Sequence, residues 1–425
     1  MYLSLKEGNY LLNQPTGISF SYLLNGTYMN IGVNKSAEDI LLRLSGQYEQ
    51  EMIVAELCEV YNENHAVVNK FVNEFINTLK SNNVIVESNE IKNNIVLRGS
   101  GTYYTPEHVT FELTHKCPLS CQHCFVDAGF GSEMDSLKCK ESLQELLDMG
   151  VSVIQLTGGE PFAYSEVDQI IEIIRREGRA IHITTSGYIY TKTVQSCLDL
   201  LSESDTSQIQ VSIDGLKEIH NQIRGKKDSY DKAVKFIKEC VKRGINTSVA
   251  TSLIIQPVEE IEKLASIVKE LGVTEYKLGL ITNQGRAKDN NLDGYTYNEY
   301  RSMVKYLKKK FDDEFFTIEE IEEKSEIGNC GAGYKTLKIK PDMMVTPCAM
   351  MQLNIGNLKQ ESLKTILSRS FKLFSKLEFP DSKQCSTCSE EDYCKGCISE
   401  AIIRKDSVSV CNWEVKQQGV LCKII

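Results

Sequence analysis

No stretch of the chain is apolar for long enough to cross a membrane. Its first residues, Met1-Tyr2-Leu3-Ser4-Leu5-Lys6, do not open the apolar core of a secretory signal. Both absences point to a cytoplasmic protein with no membrane partner. Positive charge is also scarce. With 48 Lys and Arg against 58 Asp and Glu the formal net charge is -10, which argues against a nucleic acid as partner. A reducing compartment in turn excludes a disulfide framework, so the 15 cysteines require another explanation.

The rest of the composition, 41% hydrophobic and 25% charged, is that of an ordinary soluble chain, and 425 residues suit two or three domains. The cysteines are unevenly spread. Cys58, Cys139, Cys197 and Cys240 are scattered and read as small buried apolar groups. Three more crowd into Cys117-Pro118-Leu119-Ser120-Cys121-Gln122-His123-Cys124, just after the apolar run Val109 to Leu113. Three thiolates at this spacing can hold three corners of a [4Fe–4S] cube and leave one iron without a protein ligand. A zinc knuckle is the other reading, but His123, between two thiols, is awkwardly placed as its fourth ligand.

Residues 1–90 read as a small separate domain. Tyr10 to Leu12, Gly17 to Leu24 and Thr27 to Ile31 have strand character, with Asn25-Gly26 as a turn. Three helical patterns follow. The first is capped by Ser36 with Asp39 and carries Ile40, Leu41 and Leu44; the second carries Met52, Ile53, Leu57 and Tyr61. The third carries Val67, Val68, Phe71, Phe75 and Leu79, and Val84-Ile85-Val86 supplies a wing strand. This order resembles the leader-recognition domain of ribosomal peptide maturases, similar to the small pyrroloquinoline quinone chaperone. The resemblance implies a domain that adds a precursor's leader to a sheet edge as an extra strand. A DNA-binding winged helix would share the pattern. With 5 Lys and Arg against 11 Asp and Glu, however, residues 1–90 are poorly suited to phosphate.

Residues 91–106 read as a linker. Beyond them, strand-like runs at 109–114, 151–157, 180–185, 209–213, 247–253 and 276–281 alternate with helical patterns, which predicts a parallel sheet covered by helices. Gly158-Gly159-Glu160-Pro161 ends the second strand, Thr184-Thr185-Ser186-Gly187 the third, and Ser212-Ile213-Asp214-Gly215 the fourth. Arg224 follows nine residues after Gly215, and Ser and Arg are suitable donors for a carboxylate. Gly285-Arg286-Ala287 follows the sixth strand. The charged stretch at 282–329, with Lys308-Lys309-Lys310 and Glu319 to Lys324, reads as a solvated helix pair.

With its three-thiol stretch and these strand-end motifs, the chain resembles the radical S-adenosylmethionine (SAM) enzymes. The resemblance implies an α/β fold, a partial (β/α)6 TIM-like barrel over about 107–315, with chemistry at the C-terminal strand ends. It also implies that Cys117, Cys121 and Cys124 hold the cluster that binds SAM. Gly158, Gly159, Glu160 and Ser186 would border the amino end of SAM, Ser212 and Arg224 would hold its carboxylate, and Phe125 would lie beside the adenine.

Eight cysteines occupy the last stretch: Cys330, Cys348, Cys385, Cys388, Cys394, Cys397, Cys411 and Cys422. The array resembles the SPASM extension of radical SAM enzymes, here 316–425, which implies two auxiliary [4Fe–4S] clusters and three in all. By order, Cys330, Cys348 and Cys397 would hold the first, and Cys385, Cys388, Cys394 and Cys411 the second. Residues 331–347 lack the further cysteine of fully ligated relatives. The first auxiliary cluster would then either keep an open iron able to take a substrate thiolate or be completed by Cys422.

The function implied is maturation of a ribosomally made peptide, of the thioether-forming sactipeptide or ranthipeptide type. A 5′-deoxyadenosyl radical would abstract hydrogen from an acceptor residue, and a substrate Cys sulfur would bond to that carbon. A flavodoxin- or ferredoxin-type protein would donate the electron. Two alternatives remain: the same machinery forming a carbon–carbon crosslink, an epimer or a decarboxylated product, or a zinc-stabilised peptide-binding protein without chemistry.

Overall fold

The computed structural model describes residues 1–425 except Asn25, Ile95, Ile255, Asp293, 321–328 and Ile425. The N-terminal region contains β1 (Tyr2–Leu5), β2 (Tyr10–Gln14), β3 (Gly17–Leu24), β4 (Thr27–Gly32), α1 (Lys35–Leu42), β5 (Ser45–Glu49), α2 (Gln50–Tyr61), α3 (His65–Ser81), β6 (Ile85–Ser88) and β7 (Leu97–Gly99). They form two small sheets, ordered β5-β1-β6 and β4-β3-β2-β7. The three expected helices and the wing strand are present, but details differ. Asn34, not Ser36, caps α1, its side chain accepting from Ala37 N, while Asp39 is buried and accepts from Tyr61 Oη at 2.6 Å. The Asn25 half of the expected turn lies outside the described residues; Gly26 has a φ of 78°.

In α3 the buried stripe is Val68, Val72, Ile76 and Leu79, spaced by three or four residues. Val67 and Phe71, expected inside, face outward, with Phe71 64% exposed, as do Met52 and Tyr61 of α2. Nor are residues 91–106 a free linker. β7 pairs in parallel with β2, and Gln14 exchanges hydrogen bonds with the Thr105 backbone in both directions.

The barrel contains β8 (His108–Glu112), α4 (Ser136–Met149), β9 (Val153–Thr157), α5 (Val167–Arg176), β10 (Ala180–Thr185), α6 (Lys192–Ser202), β11 (Ser207–Ser212), α7 (Lys217–Arg224), α8 (Ser229–Lys242), β12 (Asn246–Leu253), α9 (Val258–Glu270) and β13 (Glu275–Leu280). β8 to β13 are parallel and adjacent in order. In β9 to β11 fully buried apolar positions, such as Ile154, Leu156, Ile183, Ile209 and Val211, alternate with partly buried polar ones, Gln155, Thr157, Thr184, Gln210 and Ser212, so one face packs on the helices and the other faces the barrel interior. The six predicted strands are present, in a partial α/β barrel. α7 was not anticipated as a helix.

The sheet does not stop at six strands. After α10 (Arg286–Asp289) and α11 (Tyr297–Phe311), β14 (Thr317–Glu320) adds in parallel to β13, where a helix face was expected. The rest of that charged stretch, 321–328, lies outside the described residues. β15 (Thr336–Ile339) then returns across the molecule and pairs in parallel with β8, and β16 (Met344–Thr346) and β17 (Gly356–Asn357) continue antiparallel. Thus a segment assigned to the C-terminal domain by its cysteines supplies an edge of the barrel. The remainder is helical: α12 (Leu363–Phe374), α13 (Ser382–Cys385), α14 (Glu391–Cys394), α15 (Ile398–Arg404) and α16 (Asn412–Leu421), around a small core centred on Trp413 and Phe374. Among the described residues no helix is long and apolar enough to cross a membrane.

Candidate active site

A cavity of about 370 Å³ opens at the C-terminal ends of the barrel strands. This is within the range that holds a cofactor-sized molecule. Cys117, Cys121 and Cys124 border it, as do Phe125, Gly158, Gly159, Ser186, Ser212 and Arg224. Of the residues singled out for SAM, only Glu160 is not on its wall. The Glu160 carboxylate is fully buried beneath, accepting from Thr185 Oγ1 at 2.7 Å, Ser186 N at 2.9 Å, Ser186 Oγ at 2.5 Å and Phe162 N at 3.3 Å. Burial pushes its pKa up, and the donors of Ser186 and Thr185 oppose that. In this arrangement Glu160 acts on the cavity through Ser186 and Thr185.

The paired glycines border the cavity and also have a packing role. A Cβ on Gly158 would stand 2.3 Å from Thr114 O, and one on Gly159 2.6 Å from Lys116 O. Their smallness therefore lets the end of β9 lie against the loop leading to Cys117, and Gly159 N donates to Thr114 O at 2.6 Å.

The thiol loop is fastened by elements remote in sequence. Ser120 N and Gln122 N donate to the carbonyls of Arg224 and Ile223 at the end of α7. Arg286, whose role could not be read from sequence, donates from Nε to Cys121 O at 2.8 Å and from Nη1 to Ala128 O at 2.7 Å, and Arg286 N donates to Cys124 O. Gly285 before it, with a φ of 52°, lies so close to Cys124 O that a Cβ would clash at 2.4 Å.

The surroundings of the sulfurs fit a metal-bound thiolate set. Arg224 Nη1 stands 3.6 Å from Cys121 Sγ, and Ala128 N donates to Cys124 Sγ at 3.3 Å. Such donors favour the charged form of sulfur. Burial pushes the Cys117 thiol up to about 12, and a bound metal would favour its thiolate. The thiols line a wall rather than meeting at a point; among the described residues no three His, Cys, Asp or Glu converge as they would on a single ion.

Arg224 is itself held. Its Nε lies 2.6 Å from Asp214 Oδ2, at ion-pair distance but outside good hydrogen-bond alignment. Asp214 is fully buried and accepts from Ser252 N at 3.1 Å. Burial raises its pKa, but Arg224, His123 and His220 outweigh that and hold it below the usual carboxylate range. His123 stands 3.7 Å from Asp214, and burial pushes its imidazole down to about 4, leaving it neutral near pH 7.

A second buried ion pair on the cavity wall has no local sequence signal. Lys338 of β15 reaches Glu112 of β8 at 3.1 Å; both side chains are at most 3% exposed, and His115 meets the same carboxylate at 2.5 Å. Lys338 Nζ also stands 5.6 Å from the Phe125 ring centre. Burial raises Glu112, but His115 and Lys338 prevail and lower it overall.

In the C-terminal domain Cys385, Cys388, Cys394 and Cys411 border one small cavity beside Trp413 and Arg404. Cys330 and Cys348 lie close enough for their charges to interact. Cys397 is outside the four-thiol cavity, at the N-terminus of α15, where its sulfur accepts from Glu400 N at 3.4 Å. Cys422 is exposed at the end of α16. Cys139, Cys197 and Cys240 are fully buried, and Cys58 is half-buried.

Residues 111–271 match the family model of the radical SAM superfamily, and 330–389 match an iron–sulfur cluster-binding domain, SPASM. The chain carries a radical SAM barrel joined to a SPASM domain. A radical SAM domain binds SAM and a [4Fe–4S] cluster, and a SPASM domain binds further iron–sulfur clusters. Among curated proteins the chain is 28% identical to the antilisterial bacteriocin subtilosin biosynthesis protein AlbA of Bacillus subtilis, over 97% of this chain and 93% of that protein. It is 26% identical to the sporulation killing factor maturation protein SkfB of the same organism, over 67% of this chain and 70% of that protein. The crystal structure of Streptococcus suis SuiB bound to S-adenosylmethionine superposes with a TM-score of 0.67 at 16% identity, covering 95% and 97% of the two chains. That likeness carries the fold of the radical SAM barrel, its N-terminal extension and the SPASM domain together.

Proposed function

We propose that this chain is a radical SAM maturase of a ribosomally synthesised peptide, and that it joins a substrate cysteine to a carbon of another residue as a thioether. The observation that carries the reading is the single cavity bordered by three thiols, Ser212 and Arg224. Similarity to AlbA over nearly the whole of both chains supports a bacteriocin-type peptide as substrate. Cys117, Cys121 and Cys124 would hold the cluster, with Arg224 and Ser212 on the carboxylate of SAM and Ser186, set by Glu160, near its amino end. Bound there, the cofactor supplies hydrogen-atom abstraction from a peptide carbon. Cys385, Cys388, Cys394 and Cys411 would hold one auxiliary cluster; Cys330, Cys348 and Cys397 would hold another, left with an open iron or completed by Cys422.

The chain's own residues do the rest. Asp214 fixes the Arg224 guanidinium, and Arg286 fixes the thiol loop. Lys338, Glu112 and His115 form a row from the cavity toward the surface along which a substrate proton can leave. The N-terminal domain would hold the peptide's leader, and the outward apolar side chains of Val67 and Phe71 on α3 support that. A flavodoxin- or ferredoxin-type protein would supply the electron.

Co-expression with a short cysteine-containing candidate precursor from the neighbouring open reading frames tests the reading. Each thioether removes a pair of hydrogen atoms and one alkylatable thiol from the peptide. A peptide of unchanged mass, with every cysteine still open to alkylation, would sink it.

A further inference from the structure

A second cavity, of about 640 Å³, lies at the other end of the barrel, between the N-terminal domain and the loop that enters β10. Tyr10 and Tyr28 form part of this seam. Tyr10 Oη donates to Gly150 O at 2.9 Å, and Tyr28 Oη donates to Gly178 O at 2.8 Å. Arg179 is on the cavity wall and only 2% exposed, yet its Nε and Nη1 have no hydrogen-bond partner. Ser4, also on the cavity wall, is 1% exposed, and its Oγ is likewise without a partner.

Around these two groups the charge is lopsided. Lys6, Lys92, Arg98, Arg176 and Arg179 line the cavity, against Glu7 and Glu177. The guanidinium carbons of Arg98 and Arg179 lie 5.6 and 4.3 Å from the centre of the Tyr10 ring, so one aromatic ring steadies both. They lie close enough that Arg179 repels Arg98 and, with burial as the larger cause, lowers its pKa. Burying a guanidinium with open donors beside a second one is unfavourable unless a negative group completes it. Of these cations only Lys6 belongs to the acidic residues 1–90; the others come from the segment after them and from the barrel.

We infer that this seam is an oxyanion-binding site, in which Arg179, Arg98 and Ser4 donate to a carboxylate or a phosphate. A guanidinium edge matches the paired oxygens of both groups. Two sources share that chemistry, an acidic side chain of the peptide substrate and a free inorganic anion. The site is remote from the cavity that takes SAM and stands independently of the proposed reaction.

The test uses the full-length, cluster-reconstituted protein under anaerobic conditions. It is titrated with inorganic phosphate and, separately, with N-acetylglutamate amide, at an ionic strength held constant with chloride. The readouts are the thermal midpoint and tyrosine fluorescence. At least one probe is expected to give a saturable response, about tenfold weaker in Arg98→Gln and absent in Arg179→Met. The tighter probe names the source: glutamate amide the peptide, phosphate the free anion. If neither probe saturates, or the variants titrate like the unaltered protein, the inference falls. Should Arg179→Met fail to fold, Arg98→Gln and Arg176→Gln carry the test at the rim, and an unchanged response in both overturns the site. SAM cleavage is not among the readouts, so failure here is distinct from failure of the proposed reaction.

Discussion

The two ends of the barrel handle buried charge in opposite ways. At the C-terminal ends of the strands the buried ions described have fixed protein partners, Arg224 with Asp214 and Lys338 with Glu112, and the buried Glu160 carboxyl is held by the hydroxyls of Thr185 and Ser186. At the N-terminal ends Arg179 is equally buried and has two open donors. The contrast separates two uses of a charge. A paired ion positions its neighbours, whereas an unpaired one is kept for something that arrives.

The comparison can be broken most severely at the thiols. Cys121→Ser, which removes the sulfur facing Arg224, is expected to abolish SAM cleavage, measured as 5′-deoxyadenosine released under reduction; retained cleavage would remove the cluster from this end of the barrel. Next comes Lys338→Met, which strands the Glu112 carboxylate. A broken buried pair costs about 3–5 kcal/mol, read by urea unfolding, and adding Glu112→Gln should restore most of it.

Acid gives a smaller effect. Asp214 and Glu112 titrate lower in the folded chain than their ordinary values of 3.8 and 4.5, because their cationic partners outweigh burial. The stability they contribute is complete above those values and is lost as pH falls through the lower folded ones. Unfolding midpoints should therefore decline below about pH 4.5, less steeply in Glu112→Gln. Arg179→Met is expected to change stability least, by about 1 kcal/mol or less, since no carboxylate is left stranded. A loss as large as that of Lys338→Met would erase the distinction between the two ends.

Much of the barrel was legible because β8 to β13 carry strand-like apolar residues at regular intervals, separated by helical periods. β14 and β15 were not. Thr-Ile-Glu-Glu and Thr-Leu-Lys-Ile are short and carry charge, and their strand state comes from the sheet edges that receive them. The outward turn of Phe71 was hidden because Val67 and Phe71 repeat at the same helical spacing as the true stripe beginning at Val68. At the site the thiols were visible by spacing, and Ser212 and Arg224 by resemblance. Lys338 and Glu112 lie far apart in the chain, and no local pattern announces a pair made by the fold. Arg286 was noticed without a role because its partners are mostly backbone carbonyls, which any residue can supply.

The pairing of β15 with β8 has a consequence for how the protein is made. His108 meets Thr336, so the inner flank of β8 waits through roughly two hundred residues of translation before its neighbour exists. Until then its backbone donors and acceptors form an open edge of the kind that invites mispairing. Lys338 arrives on that same late strand, so the wall facing Phe125 closes only when nearly the whole chain has left the ribosome.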